Sequence, residues 1–219
     1  MAKDPRKRQQ KLMKQRRKAK EKKKRAARTS TVHSESALIR RARSYPIHEC
    51  LINEEWQEQS MAQILVARRQ SEGMVLFGVY VVDLGCLGVK DAFAKGNVPM
   101  SEYRDGIRHR LVEESGAKRC PVELAHQIVY GALDYADALD FEPHKDFKMA
   151  RHVLEERESI SPNDDIEFGK DGKPFYCAGP HDHVEKIMQH LEDRLGSDGF
   201  HFITPALEMQ GEDEWDDWE

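Results

Sequence analysis

Residues 44–207 are predicted to fold as one α+β domain, an antiparallel sheet built from two hairpins with three or four helices packed on it. Three observations lead there. A hairpin pattern comes first, helical patterns follow, and a second hairpin pattern comes after them; that is the order of an α+β chain, not of alternating βαβ units. The run MVLFGVYVVDL at 74–84 is apolar on both faces, as a central strand covered on both sides must be. Charge divides the chain. Residues 1–43 hold nine Lys and nine Arg against Asp4, Glu21 and Glu35, a net +15; the whole chain is −4, which leaves −19 on residues 44–219. The ends, 1–43 and 208–219, are read as a disordered basic arm and a disordered acidic tail.

Composition narrows the classes. No run of about 18 apolar residues exists, so no membrane helix is expected. The basic N-terminus has no apolar segment behind it, so a secretory signal is not expected either. Cys50, Cys86, Cys120 and Cys177 form no C-x-x-C pair. They read as reduced thiols in a cytoplasmic setting, not as a disulfide framework.

In chain order, residues 3–28 have helix-forming composition, but their only bulky apolar residues are Leu12 and Met13. No apolar stripe can pack, and like charges repel at i,i+4. The arm is expected to gain helix only when an anionic surface neutralises it. Residues 37–43 (ALIRRAR) read as a short linking helix, and the body begins at Tyr45-Pro46. Residues 47–52 alternate as a strand, and 53–60 form a polar loop with Trp56 docked inward. Residues 62–69 and 74–84 make the clearest hairpin around 70–73, where Gly73 accepts φ > 0. Arg68 and Arg69 at the strand end read either as an extension of the basic surface or as plain exposed edge charges.

Asp83 ends an apolar run and enters GCLGVKD, either as a site carboxylate or as the cap of the next turn. The glycines beside Lys90 resemble a phosphate cradle only loosely, because neither full nucleotide-binding glycine motif is present. Residues 101–114 read as an exposed helix. Pro121 opens the strongest helix, 122–139, with Ala125, Ile128, Ala132, Ala136 and Leu139 as one apolar stripe. Glu123 and His126 share its flank at i,i+3, half of a carboxylate-bridged metal motif. His144 and Asp146 sit between Phe141 and Phe147 in a docked loop; Asp146 is alternatively the cap of a helix over 148–156. Residues 166–168 and 173–177 flank Asp171-Gly172 as the second hairpin. A helix runs from Gly179-Pro180 to Leu195, a short strand occupies 200–203, and Cys177, His181 and His183 offer an incomplete zinc set.

The phrases LVARRQSEGMVLFGVYVVDLGCLGVKDAF, ELAHQIVYGALDYADALDFEPHKDF and IEFGKDGKPFYCAGPHD resemble a family of uncharacterised bacterial proteins. The resemblance covers about residues 45–203 and excludes the arm and the tail. It implies a bacterial, cytoplasmic setting and transfers no catalytic residue.

Three functions fit these patterns. The first is a non-enzymatic protein that associates with nucleic acid, RNA or the ribosome, through Lys7, Arg8, Lys11, Lys14, Arg16, Arg17, Lys18, Lys20, Lys22, Lys23, Lys24, Arg25 and Arg28. Each cation that meets a phosphate releases a counterion, which gives affinity without sequence preference. The acidic body then faces a protein partner, and the acidic Trp-bearing tail competes with phosphate for the arm. The second is a metal-dependent hydrolase or nuclease in which Asp83, His126, His144 and Asp146 hold a divalent ion that activates water. The third is a protein-interaction module with solubilising ends.

Overall fold

A computed structural model describes Met13, Lys14, Arg17, Lys18, Lys20 and residues 35–163, 165–180 and 182–203. Most of the arm, and the acidic tail with its expected disorder, lie outside the described residues. The body is α+β. Strands β1 (Ile47–Ile52), β2 (Met61–Arg69), β3 (Met74–Asp83) and β4 (Gly88–Pro99) form an antiparallel meander, and the two-residue β5 (Lys118–Arg119) pairs beside β1. The strand order is β4-β3-β2-β1-β5.

The β2–β3 hairpin forms where the sequence places it. Glu72 and Gly73 take φ of 58° and 70°, and the Gln70 N–H donates to the Met74 carbonyl at 2.9 Å. Strand β3 is buried along nearly its whole length, and its side chains sort by period two. Leu76, Tyr80 and Val82 enter one core; Val75, Phe77 and Val79 enter another on the opposite face. Two helical layers cover the two faces. On the first lies α3 (Val122–Asp137), with Ala125, Ile128, Val129 and Ala132 against Ile64 and Val66. On the second lie α1 (Met100–Tyr103) and α2 (His109–Ser115), joined by one π-helical turn at Arg104–Arg108. Tyr103 and Leu111 point inward from this second layer, so the helix expected to be simply exposed is the lid of a core. Trp56 packs against the first core as expected.

Three elements differ from expectation. Strand β4 is not among the expected elements: the sequence suggests only the glycine turn at its start, and its apolar residues, Val89, Ala92, Phe93, Ala94 and Val98, are interrupted by Lys90, Asp91, Lys95 and Asn97. The second hairpin is reduced to one bridge, Lys170 to Lys173, around Asp171-Gly172. Residues 166–168 do not form a strand. Ile166 and Phe168 turn onto α3 instead, and Gly131 leaves the space for the Phe168 ring, which stands 2.4 Å from where a Cβ would be. Strand β6 (Phe175–Cys177) pairs in parallel with β7 (His201–Ile203), across the helix α5 (Val184–Leu195). The helix expected over 148–156 is only α4 (Phe147–Ala150) and a 3-10 turn (Arg151–Val153).

Segment 150–156 leaves the helical path because its backbone is bonded from outside. Tyr80 Oη donates to the Ala150 carbonyl at 2.8 Å. Gly78 makes room for that ring, since a Cβ there would meet Tyr80 Oη at 2.4 Å. Arg43 Nε donates to the Leu154 carbonyl at 2.6 Å, and Tyr130 Oη to the Glu155 carbonyl at 2.6 Å. The centre of the clamp is Arg68. Far from being an exposed strand end, it is 2% exposed. Its Nε donates to Val153 O at 2.7 Å, one terminal nitrogen to Tyr45 O at 2.8 Å, and the other to Glu155 Oε1 at 2.6 Å. Arg69, the next residue, is exposed as expected. Among the described residues no helix is long and apolar enough to cross a membrane.

Replacing Arg68 by Ala leaves two carbonyls and a carboxylate without their donor and is expected to cost about 3–5 kcal/mol. Arg68→Lys is expected to recover little of this, because one ammonium cannot span a three-way fork. Urea denaturation of the three proteins measures both; a loss in Arg68→Ala no larger than that of an exposed arginine would contradict the clamp.

Candidate nucleic-acid interface

The four residues considered for metal-assisted hydrolysis occupy three separate settings. Asp83, 3% exposed at the end of β3, accepts the N–H groups of Gly85, Cys86 and Leu87 on Oδ1 at 2.8, 2.9 and 3.4 Å. It caps the β3–β4 turn. Burial raises its carboxyl above the usual range, against the opposing pull of those N–H groups and of Lys90. Those three N–H groups are the ones a phosphate cradle would have needed, so the glycine turn has none of them to offer.

His126 is 1% exposed on α3, and its Nε2 accepts the Glu155 N–H at 3.3 Å. Burial pushes its pKa down to about 4, which keeps the ring neutral. His144 and Asp146 are brought together, with Asp91 as a third member that sequence reasoning did not include. His144 Nδ1 is buried without a well-aligned partner, 3.4 Å from Asp91 Oδ1 and 4.0 Å from Asp146 Oδ2. The Asp146 side chain does not cap α4; its backbone carbonyl accepts from Met149 and Ala150 instead. Among the described residues no group of three or more His, Cys, Asp or Glu side chains is arranged to hold a metal ion. His181, one member of the incomplete zinc set, lies outside the described residues. None of the four hydrolase candidates lines the groove of about 690 Å³ beside α3, which is walled by Tyr130, Tyr135, Ile160 and Phe168.

Lys90 is committed elsewhere. Its Nζ lies 2.7 Å from Asp182 Oδ2, which also accepts the Gly179 N–H at 2.9 Å and the Tyr176 hydroxyl at 3.3 Å. Burial opposes ionisation of Asp182, but Lys90 and the Gly179 N–H outweigh it and hold the carboxyl below its usual value. This pair joins β4 to the β6–α5–β7 unit. Sequence reasoning missed Asp182; the available signal was an Asp three residues after Gly179, close enough to fold back onto its N–H.

Cationic side chains gather in three places. In the arm, the described Lys14, Arg17, Lys18 and Lys20 are helical and exposed. On a helix Lys14 neighbours Arg17 and Lys18, and Arg17 neighbours Lys20, at spacings of three or four residues. At the root of the arm the chain is fixed to the body. Ile39 and Ala42 are buried in the main core, and Arg43 bonds Leu154 O and Arg151 O and pairs with Glu156. Arg40, Arg41 and Arg151 stay exposed there. Nearby His152 is pushed below its usual pKa by burial, and then by Arg43, Arg151 and Arg40, against the pull of Glu156.

The third place is the opposite face of the sheet. The buried carboxylate of Glu49 accepts from Tyr103 Oη at 2.8 Å and Arg108 Nε at 3.0 Å, and lies 3.1 Å from Arg119. Beside it, His48 is depressed by burial first, then by Arg69, Arg119 and Arg104, against the pull of Glu49. Four arginines thus share one neighbourhood on an otherwise acidic body, two of them held by a single buried carboxylate. Comparison with protein-family models, curated proteins and solved structures returns no match.

The buried, neutral His126 makes stability pH-dependent. Its folded pKa, about 4, lies below the unfolded value near 6.5, so the unfolded chain takes up the proton first and stability falls as pH drops between the two. From pH 6.5 to 5 the loss is expected to be about 1.6 kcal/mol. His126→Gln should flatten that part of the profile, measured by denaturant titration at each pH; an unchanged slope would assign the loss to other groups.

Proposed function

We propose that this protein binds RNA, free or within the ribosome, without acting on it chemically, and that it does so through the basic arm. The observation that carries the reading is the charge division, +15 on residues 1–43 against −19 on the remainder. An acidic body repels phosphate, so contact concentrates on the arm and on whatever cationic surface adjoins it. The arm's root supplies such a surface. Arg40, Arg41 and Arg151 extend the arm's charge onto a rigid part of the body, at a point where Ile39 and Ala42 are packed in the core. The helical, exposed Lys14, Arg17, Lys18 and Lys20 fit a segment that tracks a phosphate backbone. RNA is favoured because arginine- and lysine-rich segments that order on binding suit its irregular single-stranded and looped forms. The net acidity of residues 44–219 leaves the body for a protein partner rather than for phosphate, and the cytoplasm is the setting in which both would be met.

The test uses the full chain and a variant in which Lys14, Arg16, Arg17, Lys18, Lys20, Lys22, Lys23, Lys24 and Arg25 are replaced by Gln, titrated with a fluorescent single-stranded RNA. With about eight phosphate contacts, affinity should fall about a thousandfold between 50 and 200 mM salt, and the variant should lose most of both the affinity and the salt slope. Equal affinity of the two proteins would overturn the reading.

A further inference from the structure

The pairing of β1 with β5 sets Leu51 opposite Arg119 and Ile52 opposite Lys118. One step further along, Cys120 comes to stand opposite Cys50, and its N–H donates to the Cys50 carbonyl at 3.1 Å. The two sulfurs are 3.4 Å apart. Directly opposed residues of an antiparallel pair have Cα atoms about 4.5–5.5 Å apart, inside the range of about 4.4–6.8 Å that disulfides span. Closing the sulfurs to about 2.05 Å needs a shift of roughly 1.4 Å, within reach of side-chain rotation and without strand movement.

The pair is also unequal. Cys50 is 4% exposed at the floor of the site, whereas Cys120 is half-buried at its mouth, just before α3. The two thiols share one hydrogen bond. Between the neutral thiols Cys120 donates to Cys50; once Cys120 is a thiolate the Cys50 S–H becomes the donor, and that bond raises the Cys50 pKa and lowers that of Cys120. Burial works in the same direction on Cys50, as do Glu123 and Glu49. Cys120 is the more exposed of the two sulfurs, the one a small oxidant reaches, and the Cys50 hydrogen bond favours its thiolate against the opposing effect of burial. Neither remaining cysteine has this setting: Cys86 is fully buried, with its thiol pushed up by burial and by Asp83, and Cys177 is exposed.

We propose that Cys50 and Cys120 are a site of reversible oxidation by peroxides, which links β1 to the start of α3 through a disulfide. In the first step the Cys120 thiolate attacks the peroxide oxygen. The O–O bond breaks, the leaving oxygen departs as hydroxide or alkoxide and takes a proton, and Cys120 becomes a sulfenic acid. In the second step the Cys50 sulfur attacks the Cys120 sulfur. The S–S bond forms, the S–O bond breaks, and the Cys50 proton leaves with the hydroxyl as water. Two electrons pass from the two thiols to the peroxide. An external thiol reverses the change by exchange through a mixed disulfide and is itself oxidised. The enclosed position of Cys50 places the resolving sulfur beside the sulfenic acid, ahead of any competing thiol from solution.

The experiment treats the reduced full-length protein with equimolar hydrogen peroxide, alkylates it in denaturant, and maps its peptides without reduction. The expected result is a Cys50–Cys120 linked peptide, an intact mass lower by about 2 Da before alkylation, free Cys86 and Cys177, and full reversal by dithiothreitol. In Cys50→Ser the Cys120 sulfenic acid should persist and be trapped by dimedone; in Cys120→Ser, Cys50 should remain a free thiol. The inference is overturned if peroxide consumes Cys177 while Cys50 and Cys120 stay reduced, or if Cys120 oxidises without linkage to Cys50. Peptide mapping of the unsubstituted protein decides the matter even where a serine variant fails to fold.

Discussion

Arg68 carries a full positive charge into the interior between the sheet and the segment that follows α4, 2% exposed, and all three of its guanidinium nitrogens are used. A charge so placed is tolerated only when its partners are fixed, because each lost partner leaves an uncompensated donor in a dry site. The constraint spreads outward. Tyr45 must present its carbonyl, which fixes the entry to β1. Val153 and Glu155 must come down onto β2, which ends the helical path of α4. Tyr80, Arg43, Tyr130 and His126 then bond the backbone groups that the broken helix leaves open. Buried backbone must find partners, and here side chains replace a regular ladder.

The same arrangement bears on the arm. Arg43 and Tyr45 belong to the clamp, and Ile39 and Ala42 to the core, so the basic segment is attached to the most constrained part of the body. An arm on a loose tether would hold RNA at no defined place. On the proposed function, an arm rooted beside Arg40, Arg41 and Arg151 would present a bound RNA at one edge of the acidic body. The Glu49 cluster follows a similar principle on the other face. One buried carboxylate orients two arginines whose remaining donors stay available.

The elements legible in the sequence were those whose signal is local. The β2–β3 hairpin has its alternation and its Gly73, and α3 has its stripe at Ala125, Ile128, Ala132 and Ala136. Strand β4 was not legible because Ala92, Ala94 and Gly96 carry little hydrophobic signal; their smallness serves packing, with Leu38 2.6 Å from where a Gly96 Cβ would stand. The parallel β6–β7 pair was hidden because its partners are separated by a helix, while Asp171-Gly172 advertises a hairpin. Of the candidate residues, Asp83 was readable as a cap from the N–H groups that follow it. Arg68 was not readable at all. Nothing nearby in the chain distinguishes it from Arg69, and its burial depends on residues 85 positions away.

Those separations have a kinetic meaning. The clamp on segment 150–156 draws on Arg43, Arg68 and Tyr80, at distances along the chain of 111, 85 and 70 residues. Contacts of such range close only after the strands and α3 have already met, since the intervening chain must be brought together before any of them forms. The guanidinium and its carbonyls are thus absent from the early ensemble and present only at the end. Interactions of that kind leave the rate of folding largely alone and slow its reverse. The buried arginine acts as a latch that sets the lifetime of the native state more than the ease of reaching it.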